Sequence, residues 1–353
     1  MLSFSIDPDI RRARSLPSEA YTSDAWFARI RDRVLSRTWH FVADEASVAT
    51  AGHVMPCTLL ERCLDEPVVL SRDASGVLHA MSNVCTHRGN LVVQEAGPSQ
   101  GLRCRYHGRR FRLDGSFASM PEFEGVEGFP SHGDDLAKVA LGRLEGLLFA
   151  SVAPAMSFDD LLAPVRKQVP AGALAGMTFA PERSRDYQVA ANWALYCDNY
   201  LEGFHIPFVH PGLAAAVEYD TYRTDLSRWG TMQVAHAKSG QDAFDGGIAA
   251  YYAFLFPATM LNVYPWGLSM NVVRPLAVDR TAVSFRTYVR DASRLGRGAG
   301  ADLHGVEMED EAVVEAVQRG VRSRLYRAGR YSPTRETGVH HFHRLLAELM
   351  SEE

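Results

Sequence analysis

The chain has 353 residues and a formal net charge of −5. That length suits one large or two ordinary domains, and the small acidic excess provides no electrostatic footprint for nucleic acid or an anionic membrane. No window approaches the roughly 18 uninterrupted apolar residues of a membrane span, and the N-terminal MLSFSIDPDIRRARS becomes charged too early for a signal peptide, so a cytoplasmic protein is expected.

In chain order, residues 20–40 (AYTSDAWFARIRDRVLSRTWH) are predicted as one amphipathic helix, with Ser23 or Asp24 as N-cap. From about 41 to 155 short β-like runs alternate with Gly, Pro and Asp, which predicts a small antiparallel β domain. A Pro- and Ala-rich linker over 153–181 carries one helix, Phe158–Lys167. A helix over 190–206 then precedes Pro207, and strand-like runs follow at 249–274 and 281–290. In the second run Val283, Phe285, Thr287 and Val289 alternate with Ser284, Arg286, Tyr288 and Arg290, the period of a half-buried strand. The glycine-rich 295–305 reads as a loop, and helices at 305–327 and 335–351 close the chain. The fold class expected is α+β: an N-terminal helical segment (1–40), a β domain (41–155) and a second domain with an antiparallel sheet (156–353).

The five cysteines are Cys57, Cys63, Cys85, Cys104 and Cys197, an odd and dispersed set that argues against a disulfide framework. Two of them lie close to histidines, in CTHRG at 85–89 and CRYHG at 104–108. Thiolates and imidazoles on two short loops can hold two iron atoms differently, one iron taking Cys85 and Cys104, the other His87 and His107, as in a Rieske [2Fe–2S] cluster. Gly89 and Gly108 follow the histidines and permit tight turns. A structural zinc site is the competing use of the same four side chains.

A second constellation lies in NWALYCDNYLEGFHIPFVHP at 192–211. On a continuous helix Asp198, Glu202 and His205 share one face. Pro207 and Pro211 interrupt the helix, so His210 can return beside His205. Two imidazoles and one carboxylate make a facial triad for Fe(II). The carboxylate is sought in GVEMEDEAVVEAVQRGVRSR at 305–324, where Val306, Asp310, Val313 and Val317 form one apolar stripe. Asp310 is the first choice and Glu309 the second, while Glu307, Glu311 and Glu315 are assigned to a solvated face. His40, His53, His79, His132, His236 and His304 are read as structural, and His340, His341 and His343 as structural or near substrate.

Both segments resemble the catalytic subunits of the Rieske non-haem iron oxygenases; EDEAVVEAVQRG resembles their choline- and betaine-type members, and Glu202, where many members have Asp, resembles the carnitine branch. The resemblance runs over nearly the whole chain. It implies a Rieske domain followed by a helix-grip-like catalytic domain, and mononuclear Fe(II) held by His205, His210 and Asp310. It further implies electrons from NAD(P)H through a flavin and iron–sulfur reductase, with or without a ferredoxin. Glu202 corresponds to the acid that bridges to a cluster histidine, here His107, across a homotrimer contact. Arg109 departs from the aromatic residue common after the second cluster loop. Tyr200 matches a tyrosine lining the substrate site, and Phe204 and Tyr264 are further candidates from an aromatic-rich region. The expected reaction inserts oxygen from O2 into a small organic substrate, with N- or O-demethylation as a natural outcome. Arene cis-dihydroxylation is the nearest alternative, and a Rieske electron carrier without oxygen chemistry is the alternative of another class.

Overall fold

A computed structural model describes residues 4–351. The chain divides into two compact units, Ser36–Ala155 and a second formed by the chain before Ser36 together with the chain from Met156 onward.

The smaller unit is built of three short sheets. Strands His40–Asp44, Leu147–Ser151 and Ala140–Leu144 form one, and His53–Leu59, Glu66–Arg72 and Leu78–Ser82 form the body of the second, all antiparallel. The third, with strands Leu102–Arg103, Arg110–Phe111 and Phe117–Ser119, carries the second cysteine loop at its first turn. Cys85 and Cys104 pack with Val54, Val69, Met81, Leu102 and Phe111, so both sulfurs emerge from an apolar core.

The larger unit is organised on an eight-stranded antiparallel sheet. Its path runs Thr178–Phe179, Arg280–Val289, Gly267–Ala277, Thr259–Tyr264, Ile248–Leu255, Gly230–Ala237, Val217–Ser227, and Arg185–Val189 also pairs with Arg280–Val289. The run expected at 249–274 is therefore three strands separated by turns at Pro257 and at 265–266. Along Arg280–Val289 the expected alternation holds through Val283, Ser284, Phe285, Arg286 and Thr287, then fails at Tyr288, which is buried and rings Phe179.

The helix expected at 20–40 is shorter and interrupted: a single turn at Glu19–Thr22, then Asp24–Arg33. Ser23 sits between them in extended conformation and its hydroxyl accepts the Trp26 N–H at 3.3 Å, which ends one turn and starts the next helix. Helix Leu303–Val321 starts at Asp302, whose carboxylate accepts the Gly305 N–H. The closing helix Thr337–Ser351 lays Phe342 against Trp193, Phe254 and Phe256 at ring distances of 5.5–6.0 Å, and so caps the sheet with an apolar face.

Candidate active site

In the smaller unit the two cysteine loops repeat one hydrogen-bond pattern. Gly89 and Gly108 have φ of +69° and +77°, which a side chain would resist. Their N–H groups donate to the carbonyls of Cys85 and Cys104, while the two cysteine N–H groups donate to the carbonyls of Asn90 and Arg109. The turns bring the His87 and His107 rings to 4.7 Å centroid separation. Burial pushes the Cys104 thiol up, but N–H groups of Tyr106 and His107 and the Asn90 amide, 3.6 Å from Sγ, outweigh it and leave the pKa lowered. Nδ1 of His107 is buried with no hydrogen-bond partner among the described residues, a costly state for a ring nitrogen unless a metal ligates it. Two thiols and two imidazoles, one of each per loop, fit a Rieske cluster. Arg109 is no ligand. It is 2% exposed, pairs with Asp134 at 2.7 Å and lies 5.0–5.7 Å from the rings of Phe111, Phe117 and Phe129.

In the larger unit, the helix expected through residue 206 ends early. It spans Trp193–Tyr200, with Asn192 as N-cap, and a second short helix begins at Ile206. Asp198, Glu202 and His205 therefore do not share one helix face. Asp198 turns away to bond Tyr21 and His343, tying both ends of the unit together. Past the break, Glu202 accepts the N–H groups of Phe204 and His205 and holds His205 Nδ1 at 2.5 Å. Gly203 is required between them, because a Cβ there would collide with the Tyr222 ring.

His205 and His210 meet edge to face at 5.0 Å. Nε2 of His210 is 3.0 Å from Asp310 Oδ1 and Nε2 of His205 is 3.6 Å from the same atom. One ligand atom from each of the three side chains falls within 4.8 Å of the others. The opposite nitrogens are also held: Glu309 takes Nδ1 of His210 at 2.7 Å, as Glu202 takes that of His205. A carboxylate on each Nδ1–H fixes the tautomer that leaves Nε2 free for a metal. His210 is 1% exposed, and burial would lower its pKa, but Asp310 and Glu309 together raise it above the ordinary value. The donor set suits Fe(II) in a facial triad.

His205, His210, Asp310 and Glu202 line a cavity of about 100 Å³ whose other walls include Tyr200, Tyr222, Tyr252 and Tyr264. Phe204 does not face it. Its ring is 41% exposed and packs on Phe208, because the chain turns outward after Gly203. The expected apolar stripe of the 303–321 helix is also shifted: its buried residues are Glu307, Val314, Gln318 and Val321, and Val317 is exposed. Glu307, expected in solvent, is 2% exposed and lines the cavity.

Residues 38–130 match the Rieske [2Fe-2S] domain, and residues 177–352 match the ring hydroxylating alpha subunit (catalytic domain). The chain is 30% identical to the choline monooxygenase of Arabidopsis thaliana, covering 96% of this chain and 84% of that one. It is 31% identical to the carnitine monooxygenase oxygenase subunit of Escherichia coli K12, covering 97% and 95%. The chain belongs to the Rieske non-haem iron oxygenases. A crystal structure of a quaternary ammonium Rieske monooxygenase superposes on this oxygenase with a TM-score of 0.78 at 25% identity, covering 97% of each chain. Naphthalene 1,2-dioxygenase shares the fold, with a TM-score of 0.71 at 16% identity over 99% of this chain and 95% of that one.

As a Rieske oxygenase the protein uses a [2Fe–2S] cluster and a mononuclear iron, and receives electrons from NAD(P)H through a reductase. Its place in the family removes both the zinc-stapled and the electron-carrier alternatives. No helix among the described residues is long and apolar enough to cross a membrane. Sequence reasoning missed Glu307 and Tyr222 in the cavity wall. The first could have been found from the stripe Glu307, Val314, Gln318, Val321, whose spacing of 7, 4 and 3 is also helical.

Proposed function

We propose that this oxygenase hydroxylates a C–H bond adjacent to the nitrogen of a quaternary ammonium compound. The carrying observation is the cavity itself: the His205, His210 and Asp310 donor atoms converge on one wall, and five tyrosines and a buried glutamate supply much of the rest. Tyrosine faces attract a permanent cation by cation–π interaction, and the relatives named for choline and carnitine support the same class.

In this reading Cys85, His87, Cys104 and His107 hold the cluster, and His205, His210 and Asp310 hold the iron. When bound, the cluster supplies single electrons and the iron activates O2. Glu202 and Glu309 fix the imidazole tautomers, and Asn199 donates to Asp310 Oδ1 at 2.5 Å, steadying its carboxylate. Ile206, Leu213 and the tyrosine rings supply apolar surface to the cavity wall. One oxygen atom enters the substrate, and the other leaves as water with two electrons and two protons. A hydroxyl next to the cationic nitrogen collapses by C–N cleavage to an aldehyde, a tertiary amine and a proton.

The same proposal includes a closed homotrimer, in which Glu202 meets His107 of the partner subunit. Exposed aromatics occur beside both residues, Phe204 and Phe208 near Glu202 and Tyr106 beside His107, and such surfaces favour burial in an interface. A solved relative is described as revealing inter-subunit electron transfer.

Product analysis by mass spectrometry tests the substrate class, with a surrogate reductase and a panel of choline, carnitine, γ-butyrobetaine and naphthalene. An aldehyde and a tertiary amine from one ammonium compound is the expected result. A cis-dihydrodiol from naphthalene with no ammonium turnover would overturn it.

A further inference from the structure

Among the carboxylates of the cavity, two are engaged by neighbours. Asp310 Oδ1 faces Asn199 and the two histidines, and Glu202 holds His205 and two backbone N–H groups. Glu307 differs. Its Oε2 accepts the Tyr196 hydroxyl at 2.7 Å, and its Oε1 is buried with no hydrogen-bond partner among the described residues. Leaving an acceptor of this kind bare is costly, and because Glu307 also lines the cavity, an occupant of the cavity can offset that cost.

The charge of that occupant follows from the walls. Among the described residues lining the cavity, none is Lys or Arg. Burial raises the Glu307 pKa well above the ordinary carboxylate value, with Asp310 and Glu311 adding to the rise against the Tyr196 hydrogen bond. A cation placed beside it would favour the carboxylate form. The rings that line the same cavity suit a cation without N–H groups. Tyr222 and Tyr252 lie nearly parallel at 6.5 Å, and the Tyr264 ring stands at 81° to Tyr252 at 6.0 Å, so the cavity wall carries aromatic rings in two orientations. An uncharged arene would use the rings and leave Oε1 bare.

We propose that Glu307 is the residue by which this oxygenase distinguishes a cationic headgroup from a neutral one of the same shape. The inference rests on the quaternary ammonium reading above and assigns the recognition of charge to one side chain outside the iron ligand set.

The test uses anaerobic holoenzyme and two ligands, choline and its uncharged isostere 3,3-dimethylbutan-1-ol, titrated by calorimetry. Wild type should prefer choline by at least about tenfold. Glu307→Gln, which keeps shape and can still accept from Tyr196, should bring the two affinities to within a few-fold of each other. Because the readout is a ratio measured on one preparation, partial loss of active protein does not move it. A wild type without preference overturns the substrate class and the inference together. A preference retained in Glu307→Gln overturns the inference alone. Should that variant fail to fold, a crystal structure of wild type with choline decides. The nitrogen is expected within about 6 Å of Glu307 Oε1, and a nitrogen seated at the opposite wall overturns the inference.

Discussion

Replacing Glu309 by Gln separates holding a metal from positioning the side chain that holds it. Glu309 and Asp310 are consecutive on one helix, about 100° apart around its axis, and they address opposite nitrogens of the same imidazole: Glu309 reaches His210 Nδ1 at 2.7 Å and Asp310 reaches Nε2 at 3.0 Å. A carboxylate behind a ligating histidine typically accounts for about 10–100-fold in metal affinity. Glu309 is 40% exposed while His210 is 1% exposed. Solvent screening on the carboxylate side therefore places the expected loss near the lower limit, about tenfold or ~1.4 kcal/mol. Anaerobic Fe(II) titration of protein with an intact cluster measures it, with the cluster EPR signal as internal control for folding. Asp310→Ala should lose the mononuclear iron and turnover outright while keeping that signal. If Glu309→Gln abolishes iron binding and Asp310→Ala preserves it, the ligand is Glu309. If Glu309→Gln binds iron as tightly as wild type, the hydrogen bond to Nδ1 does not position His210.

Arg109→Ala should destabilise the Rieske unit by about 3 kcal/mol, the lower end for a broken buried ion pair because Asp134 remains 20% exposed; thermal unfolding followed by cluster absorbance measures it, and an unchanged midpoint would show that the ring cage holds without the charge. Glu307, with its folded pKa raised, contributes stability that is present below the ordinary carboxylate pKa and lost as pH rises toward the folded value. In iron-free protein, Glu307→Gln should therefore flatten the decline of unfolding free energy with pH by about 1.4 kcal/mol per unit in that window, and chemical denaturation at several pH values giving parallel curves would contradict the burial argument. Glu202→Gln should leave both metal sites filled but slow cluster oxidation in single-turnover experiments on pre-reduced protein, since a neutral amide loses its charge-assisted hydrogen bonds; unchanged oxidation, or a fully active monomer, would refute the bridge.

The parts of this molecule legible from sequence were those set by short-range chemistry. Cys85 and His87, or Cys104 and His107, lie within three positions of each other and are followed by glycines that the turns require, so spacing alone exposed the two cysteine–histidine loops. His210 was legible because Pro207 and Pro211 announce a break. What failed was the assumption of one uninterrupted helix through 206. The helix ends at Tyr200, three residues before a glycine that the Tyr222 ring approaches closely, and that ring comes from a strand some twenty residues away. Glu307 was misplaced for a related reason. Helix position alone left two adjacent stripes open, and the polar one was assigned to solvent although its Tyr196 partner comes from a separate helix. Phe204 was offered as a wall of the substrate site on proximity in sequence, and the outward turn after Gly203 carries it to the surface.

The break in the helix also explains how Glu202 can be held so firmly at the edge of the site. Had the helix continued, the N–H groups of Phe204 and His205 would have been taken by carbonyls four residues earlier, leaving the carboxylate only the imidazole to bind. Ending the helix at Tyr200 frees those two donors, and Glu202 collects both just ahead of the short helix that begins at Ile206. The carboxylate then has fixed partners on two sides before it grips His205 Nδ1. A side chain anchored three times has little rotamer freedom left to lose when it is asked to meet a second group. Glu309 has no comparable backbone anchor in the hydrogen bonds it makes: it touches His210 and is otherwise partly exposed. The two carboxylates behind the two histidines therefore do different work. One is a rigid post fit to pass a contact onward, and the other is an adjustable brace, which is why substitution at Glu309 should be read in metal affinity and substitution at Glu202 in the rate of electron transfer.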